Sequence, residues 1–388
     1  MRVLFLAHSF PRFPGDAAGS FLLRLARALQ DIGIAVHVVA PAAEGYAATD
    51  SFEGVGVERF RYAPRRYESL AYTGNMASDV RASWSARIAM LGFLGSEFVS
   101  AVRARRHVQP DLVHAHWWFP GGLVGTWVAA LSGVPLVTTF HGSDVRLARS
   151  VAAARPPLRA VTRKSAATTT VSRWLADELK ALVPSATPTV APMPVDTQLF
   201  EPGGQRARDT ILFVGRLNAQ KGLEHLIAAL PRMRTRATLD VVGDGGGREA
   251  MERLARELGV ADRIRWRGSL RQPELVPLYQ SAGAVAVPSI DEGLGLVAVE
   301  AMLCGAPVVA SRSGGLTDVV RHDATGLLVP PGDASELAAA LDDVLEHPER
   351  GRALAEAGRM HALASFAPES VARRYATIYR DALGAEHA

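Results

Sequence analysis

Short β-branched or apolar runs alternate with longer helical patterns along most of this chain, and that alternation leaves few folds open. It is the signature of parallel sheets covered by helices. In the first half the expected strands are Val3 to Ala7, Ala35 to Ala40, Leu112 to Ala115, Leu136 to Thr139 and Ala167 to Val171. Ser20 to Gln30 carries Leu22, Leu25, Ala26 and Leu29 at helical spacing and stops before Asp31-Ile32-Gly33. Pro184 to Gly204 holds Pro184, Pro188, Pro192, Pro194 and Pro202 with little periodicity, and reads as a linker. A second series follows, with strands expected at Ile211 to Val214, Thr238 to Val242, Ile264 to Arg267, Ala284 to Pro288 and Pro307 to Ala310. Helices are expected to begin near Leu223, Gly247, Glu274 and Leu296. At 388 residues the chain exceeds one ordinary core. The reading is α/β, with two Rossmann-like doubly wound domains, residues 1–195 and 196–367, facing across a cleft. The apolar helix of residues 368–388 is expected to cross back onto the first domain.

Open α/β sheets bind ligands beyond the carboxyl ends of their strands, so the loops leaving those ends are where chemistry is sought. DEGLGLVAVEAMLCGAPVVAS, from Asp291 to Ser311, is a glycine-spaced loop running into a helix, with Glu292 and Glu300 eight residues apart. Gly293 and Gly295 leave backbone N–H groups open, and the helix start adds its own donors and the positive end of its dipole, which suits a phosphate. Eight helical steps would separate the two acids by about 12 Å. That argues against a glycosidase pair, which needs carboxyls roughly 5 to 9.5 Å apart. One acid at each end of a long anionic ligand is the better expectation.

Gly215-Arg216-Leu217, three further residues and Lys221-Gly222 follow another strand. Arg216 offers a planar fork and Lys221 a compact charge, a sensible pair for a diphosphate. The chain has only three lysines, Lys164, Lys180 and Lys221, so this one is hard to dismiss as a surface charge. GRLNAQKG lacks the order of a Walker A loop. Gly243-Asp244-Gly245-Gly246-Gly247 has Arg248 in place of the third glycine of a dinucleotide fingerprint, and Asp244 reads as a turn residue. In the first half, His141 and Asp144 leave a strand in TFHGSD, where they would meet a substrate hydroxyl or form an Asx-type turn. His114 and His116 share a strand face, but two histidines without a third ligand do not make a metal site. Trp117, Trp118 and Phe119 suit either a sugar or a core. Gly15 and Gly19 permit close backbone approach in the loop before the first helix, a weak signal alone.

GRLNAQKG, VVGDGGG, VPSIDEGLGLVAVEAMLCGAPVVAS, Gly314-Gly315 and TGLLVPPGD together resemble the donor domain of retaining glycosyltransferases of family 4, with the GT-B fold. DLVHAHW, TTFHGSDV and APMPVDTQLFEP extend the resemblance over most of the chain. It implies a nucleoside-diphosphate sugar, UDP- or GDP-linked, held by the second domain, and a hydroxyl acceptor (a glycan, lipid or small glycoside) held by the first. Arg216 and Lys221 would hold the diphosphate, with Gly215 and Gly243 beside the donor. The amides of Gly293, Leu294, Gly295 and Leu296 would meet phosphate and sugar. Glu292 would sit by the transferred sugar, Glu300 would take the ribose hydroxyls, and His141 would approach the donor sugar. Gly15, Gly19, His116, Trp117 and Asp144 fall on the acceptor side. Neither a metal nor any other cofactor is expected, because Arg and Lys supply the charge stabilisation that the leaving group needs. The chain departs from many relatives in separating Gly15 from Gly19, and Arg59 to Arg87 fits no motif and is expected to shape acceptor choice. A GT-B sugar-nucleotide epimerase and a non-catalytic sugar-nucleotide or membrane-surface binding protein are the alternatives.

The charge is uneven: 21 Lys and Arg face 13 Asp and Glu through residue 195, a balance of +8, and the remainder stands at −4. A basic first half suits an acidic acceptor or an anionic membrane surface. No reading module for nucleic acid accompanies it. The lone Cys304 has no internal disulfide partner, and the N-terminus reads as a strand rather than a signal peptide, so a cytoplasmic location, peripheral to the inner membrane face, is expected. The sequence leaves donor sugar, acceptor and oligomeric state open.

Overall fold

The structure is a computed structural model, and it describes residues 1–43, 49–72, 76–207 and 209–384. The chain divides into two compact units, Met1–Pro194 with Pro368–Ala388, and Val195–Ala367.

The first unit is built on eight strands: β1 (Arg2–Leu6), β2 (Ala35–Pro41), β3 (Thr49–Phe52), β4 (Val55–Phe60), β5 (Leu112–His116), β6 (Leu136–Phe140), β7 (Ala167–Thr170) and β8 (Thr189–Val190). They lie in the order β3-β4-β2-β1-β5-β6-β7-β8. All neighbours are parallel except β3 and β4. Strands buried on both faces explain why VLFL, LVHAH and LVTTF read as continuous runs rather than alternations. The chain moves outward from β1 through β2 to β4, then restarts at β5 on the other side of β1. The order therefore reverses between β1 and β5, the crevice where such sheets take ligands.

The second unit has β9 (Thr210–Val214), β10 (Thr238–Val242), β11 (Ile264–Gly268), β12 (Ala284–Val287), β13 (Val308–Ser311) and β14 (Leu327–Val329). Their order is β11-β10-β9-β12-β13-β14, all parallel. Here the reversal lies between β9 and β12. Leu223, Leu226 and Ile227 from one covering helix, Leu230 from the turn after it, and Leu337, Leu341 and Val344 from another helix close over Ile211, Leu239 and Val241.

Three features differ from the sequence expectation. β3 and β4, for which no strand was expected, form a hairpin just before the stretch that fits no motif, turning through Glu53 and Gly54, whose φ angles of 49° and 83° are those of a tight two-residue hairpin turn. The helix Trp84–Val108 follows, apolar on more than one side and so without a readable period. The proline-rich stretch is packed rather than slack: β8 pairs with β7, and Ala191, Met193, Val195 and Phe200 are buried. The terminal helix Pro368–Gly384 belongs to the first unit, where Tyr375 and Tyr379 are fully buried.

Candidate functional site

In the second unit, four loops at the carboxyl ends of β9, β10, β12 and β13 are locked together by main-chain contacts. Gly215 donates its N–H to Val242 O at 3.0 Å, Leu217 to Asp244 O at 3.0 Å, and Gly247 to Leu217 O at 3.0 Å. Gly243 sits at φ 130°, and a Cβ there would lie 1.9 Å from Gly215 O, so only glycine lets the two loops meet. Gly314 and Gly315 play the same part across the sheet, where added Cβ atoms would fall 2.2 Å from Glu292 O and 2.3 Å from Gly293 O.

Asn218 Oδ1 accepts from the Lys221 N–H at 3.2 Å and begins the turn Ala219–Lys221. That turn delivers Lys221 across the reversal point: its Nζ donates to Glu292 Oε2 at 2.6 Å, with side-chain exposures of 18% and 14%. The backbone beside the pair is fixed too, since Ile290 donates to Gln220 O at 2.8 Å and the Gln220 side-chain amide to Asp291 O at 3.2 Å. Arg216 is exposed; its carbonyl accepts from the Asn218 N–H at 2.9 Å, and its guanidinium has no hydrogen bond or ion pair among the described residues. Gly295, at φ 96°, precedes the helix Leu296–Leu303, and no side chain caps the helix start. Glu300 lies in that helix, buried, with Oε2 accepting from the Tyr279 hydroxyl at 2.9 Å and Oε1 from the Gln272 amide at 3.3 Å. Burial, and then the Glu300 charge, hold the Tyr279 hydroxyl well above its ordinary range, so it stays a donor. Tyr279 and Gln272 were not singled out in the sequence; both lie on the helix Gln272–Ser281, which carries no motif.

The first unit gathers four histidines at the carboxyl ends of three adjacent strands. His8 follows β1, His114 and His116 end β5, and His141 follows β6. The His114 and His116 rings lie 4.1 Å apart. His114 Nδ1 meets the Tyr379 hydroxyl and its Nε2 meets Thr139 Oγ1, both at 2.7 Å. His116 Nδ1 is 3.2 Å from His141 Nε2, whereas His116 Nε2 and His8 Nδ1 are buried with no hydrogen-bond partner among the described residues. Burial pushes His8 down to about 4 and His114 to about 3, and holds His116 and His141 well below the usual imidazole range, so all four are neutral at pH 7. Sequence reasoning missed His8; its position just after the first strand was the available signal. Trp117 packs its ring 4.4 Å from His141 and 4.0 Å from His8.

Two acceptor-side expectations need correction. Asp144 is buried and committed to the backbone: Oδ1 accepts from the N–H groups of His141, Gly142 and Val145 at 3.1, 2.9 and 3.0 Å, and Oδ2 from Trp118 at 3.1 Å. Burial raises its carboxyl to about 6 against those four bonds, and it braces the loop that presents His141. His116 is fully buried and touches His141, so it orients that ring rather than meeting an acceptor. Trp118 is likewise core, its Nε1 donating to Asp144 O at 2.8 Å. The loop of Gly15 and Gly19 is held by Asp16, which accepts from Arg12 Nε at 2.6 Å and the Ala18 N–H at 3.1 Å. Gly19, at φ 70°, brings that loop against Ser9 O, where a Cβ would lie at 2.4 Å.

A family model described as "Glycosyl transferases group 1" matches residues 196–361, and one described as "Glycosyltransferase Family 4" matches residues 18–199. The D-inositol 3-phosphate glycosyltransferase of Thermobispora bispora is 31% identical over 414 residues, covering 96% of this chain and 92% of that relative. Among solved structures, sucrose-phosphate synthase from Thermosynechococcus elongatus matches with a TM-score of 0.81 at 23% identity, over 99% of each chain. Anabaena HepE in complex with UDP-glucose matches with a TM-score of 0.73 at 21% identity, over 98% of this chain and 99% of that one.

Proposed function

The chain belongs to the GT-B glycosyltransferases of family 4, and from that premise we propose that it moves a sugar, with retention of anomeric configuration, from a nucleoside-diphosphate sugar to a hydroxyl acceptor. The observation that carries the reading is the Lys221–Glu292 pair spanning the reversal point of the second sheet, with Arg216 beside it and an uncapped helix start after Gly295. A diphosphate is the ligand for such a place: a forked guanidinium and an ammonium in the loop after β9 and main-chain donors in the loop after β12 flank the same reversal point. Arg216 and Lys221 neutralise the leaving phosphates, Glu292 passes from Lys221 to a hydroxyl of the transferred sugar, and Glu300, held by Tyr279 and Gln272, accepts from the ribose hydroxyls. In the transfer, the acceptor oxygen bonds to the anomeric carbon on the face from which the phosphate departs. The bond from that carbon to the phosphate oxygen breaks, and the acceptor's proton passes to the departing oxygen. This scheme relies on charge stabilisation rather than on a strong protein base. His141, neutral and fixed by Asp144 and His116, serves as a hydrogen-bonding group for the donor sugar.

A UDP-sugar is the first donor to try, since HepE is solved with UDP-glucose, and a GDP-sugar the second. Donor and acceptor panels followed by NMR of the new linkage test the reading. The expected product keeps the donor's anomeric configuration; an inverted one rejects the mechanism.

The partner proposal extends to an anionic membrane. Trp84, Ile88 and Leu91 of the helix Trp84–Val108 are 77%, 68% and 71% exposed, and Trp127 and Leu131 of the helix Leu123–Ser132 are exposed as well. The Phe98 and Trp127 rings join the two helices at 6.2 Å. By length and composition the first helix could cross a membrane, but Ala89, Met90, Phe93, Ala101 and Ala104 are buried in the unit, so it lies along a surface. Arg87, Arg103 and Arg106 are exposed along it, Arg81 is exposed just before it, and its one acid, Glu97, is buried. Tryptophan with arginine suits a headgroup boundary, and the enzyme would work at the cytoplasmic face.

A further inference from the structure

A second group of histidines lies away from the strand ends already described. β2 and β4 run parallel with His37 opposite Gly56 and Val39 opposite Glu58, so His37 and Glu58 project from one face of the sheet, two residues apart along it. The helix Trp84–Val108 packs over that face, and its last turn brings in His107. One ligand atom from each of His37, Glu58 and His107 lies within 4.8 Å of the other two. His107 Nε2 is 4.0 Å from Glu58 Oε2, and the two imidazole rings are 5.4 Å apart.

We propose that His37, Glu58 and His107 form a binding site for a divalent transition metal of the zinc type, tying the end of the long helix to the edge of the first unit's sheet. One observation points to a missing ligand, and a second fixes the ring that would hold it. His37 Nε2 is buried with no hydrogen-bond partner among the described residues, a costly state for an imidazole nitrogen unless something binds it. The ring also rests in a cradle that only glycine leaves open, since a Cβ on residue 56 would lie 2.7 Å from His37 Nδ1. The chemistry of the donor set selects the metal. Two imidazoles and one carboxylate suit zinc and its neighbours, whereas calcium and magnesium need mostly oxygen ligands. Zinc bonds of 2.0–2.2 Å bring tetrahedral ligand atoms to about 3.4 Å from one another, and the exposed His107 can close that gap by a change of rotamer. A water completes the fourth position. Arg103, one turn before His107, also faces Glu58. Its charge disfavours a cation held by electrostatics alone and leaves the advantage to one held by coordinate bonds.

The metal is a clamp, outside the residues assigned to donor and acceptor, and binding to the folded state raises the melting temperature. Chelator-treated full-length protein is dialysed against Zn2+, and titrated with Co2+ to read visible absorption, beside H107Q and E58Q. The wild-type chain should retain one equivalent of Zn2+, develop the absorption of nitrogen- and oxygen-bound Co2+ in a low-symmetry site, and melt higher with Zn2+ than without. Both variants should lose the equivalent and the absorption while melting, metal-free, within a few degrees of the metal-free wild type. No retained equivalent in the wild type overturns the proposal. So does an equivalent that persists in H107Q, which would assign the metal to other histidines such as the His8, His116 and His141 group.

Discussion

Lys221 and Glu292 are 71 residues apart, yet in this structure each is the other's ion-pair partner at 2.6 Å. A diphosphate entering this site would compete with Glu292 for Lys221, and the two substitutions should therefore act in opposite directions. Lys221→Ala removes a charge-assisted contact of about 1.5–3 kcal/mol, so UDP or GDP should bind roughly 10- to 100-fold less tightly by calorimetry. Glu292→Gln releases Lys221 to the phosphates: nucleoside-diphosphate affinity should hold or rise while turnover of the sugar nucleotide falls. Equal losses of nucleotide affinity in both variants would refute the competition. The two residues were legible in sequence as separate candidates, because a lysine is rare here and an acid beside Gly293 is conspicuous. Their pairing was not, since it follows from the order of β9 and β12 in the sheet. Asp144 shows the opposite limit: in TFHGSD its side chain reads equally as a substrate contact or as an Asx-type turn, and the four backbone N–H groups around it decide for a brace.

At the scale of elements, the helix Trp84–Val108 is where the sequence reading was weakest and where two consequences meet. It buries one face on the sheet and exposes apolar residues on the other, so no helical period stands out among its apolar residues. On the inner face Glu97 is fully buried, and neither carboxylate oxygen has a hydrogen-bond partner among the described residues. Burial pushes its carboxyl up from 4.5 to about 8. The folded chain thus keeps a proton that the unfolded chain sheds above its ordinary carboxyl range. Stability from this group is fully present below pH 4.5, falls as pH rises towards about 8, and is level beyond. The total is on the order of 3–5 kcal/mol. Glu97→Gln should remove that part of the slope, so thermal unfolding of variant and wild type should diverge steadily from pH 5 to pH 8; parallel curves would show the carboxyl to be ordinary. On the outer face, vesicles with anionic lipid should sediment the protein at low salt, less at high salt, and much less after Trp84→Ser with Leu91→Ser. Binding unaffected by the double substitution would remove this face from membrane contact, and self-association relieved by it would assign the face to a second copy of the chain.

For the molecule as a whole, the class was written in the alternation of apolar runs with helices, because buried parallel strands leave a continuous hydrophobic signal that survives without any alignment. Of the eleven strand-length segments outside the β3–β4 hairpin and β8, only β14 went unread, a three-residue LLV within a segment quoted for its resemblance rather than for its period. The first unit is closed by residues from the far end of the chain. Tyr375 and Tyr379 are fully buried, and the Tyr379 hydroxyl meets His114 at 2.7 Å, so the terminal helix completes the polar floor beneath the His116–His141 pair. Removing residues 368–388 takes out two buried aromatic side chains worth about 3–5 kcal/mol each, against a whole-domain stability of about 5–15 kcal/mol. The truncated chain should lose the first unit's share of the near-UV dichroism and become protease-sensitive within residues 1–194, while Val195–Ala367 keeps its nucleotide affinity. Tyr379→Phe separates packing from the hydrogen bond. It should cost about 1–3 kcal/mol, because the ring stays and only the partner of His114 Nδ1 is lost. A truncated chain that melts like the full one would mean that the first unit's core does not depend on this helix, and the histidine floor would then need another support.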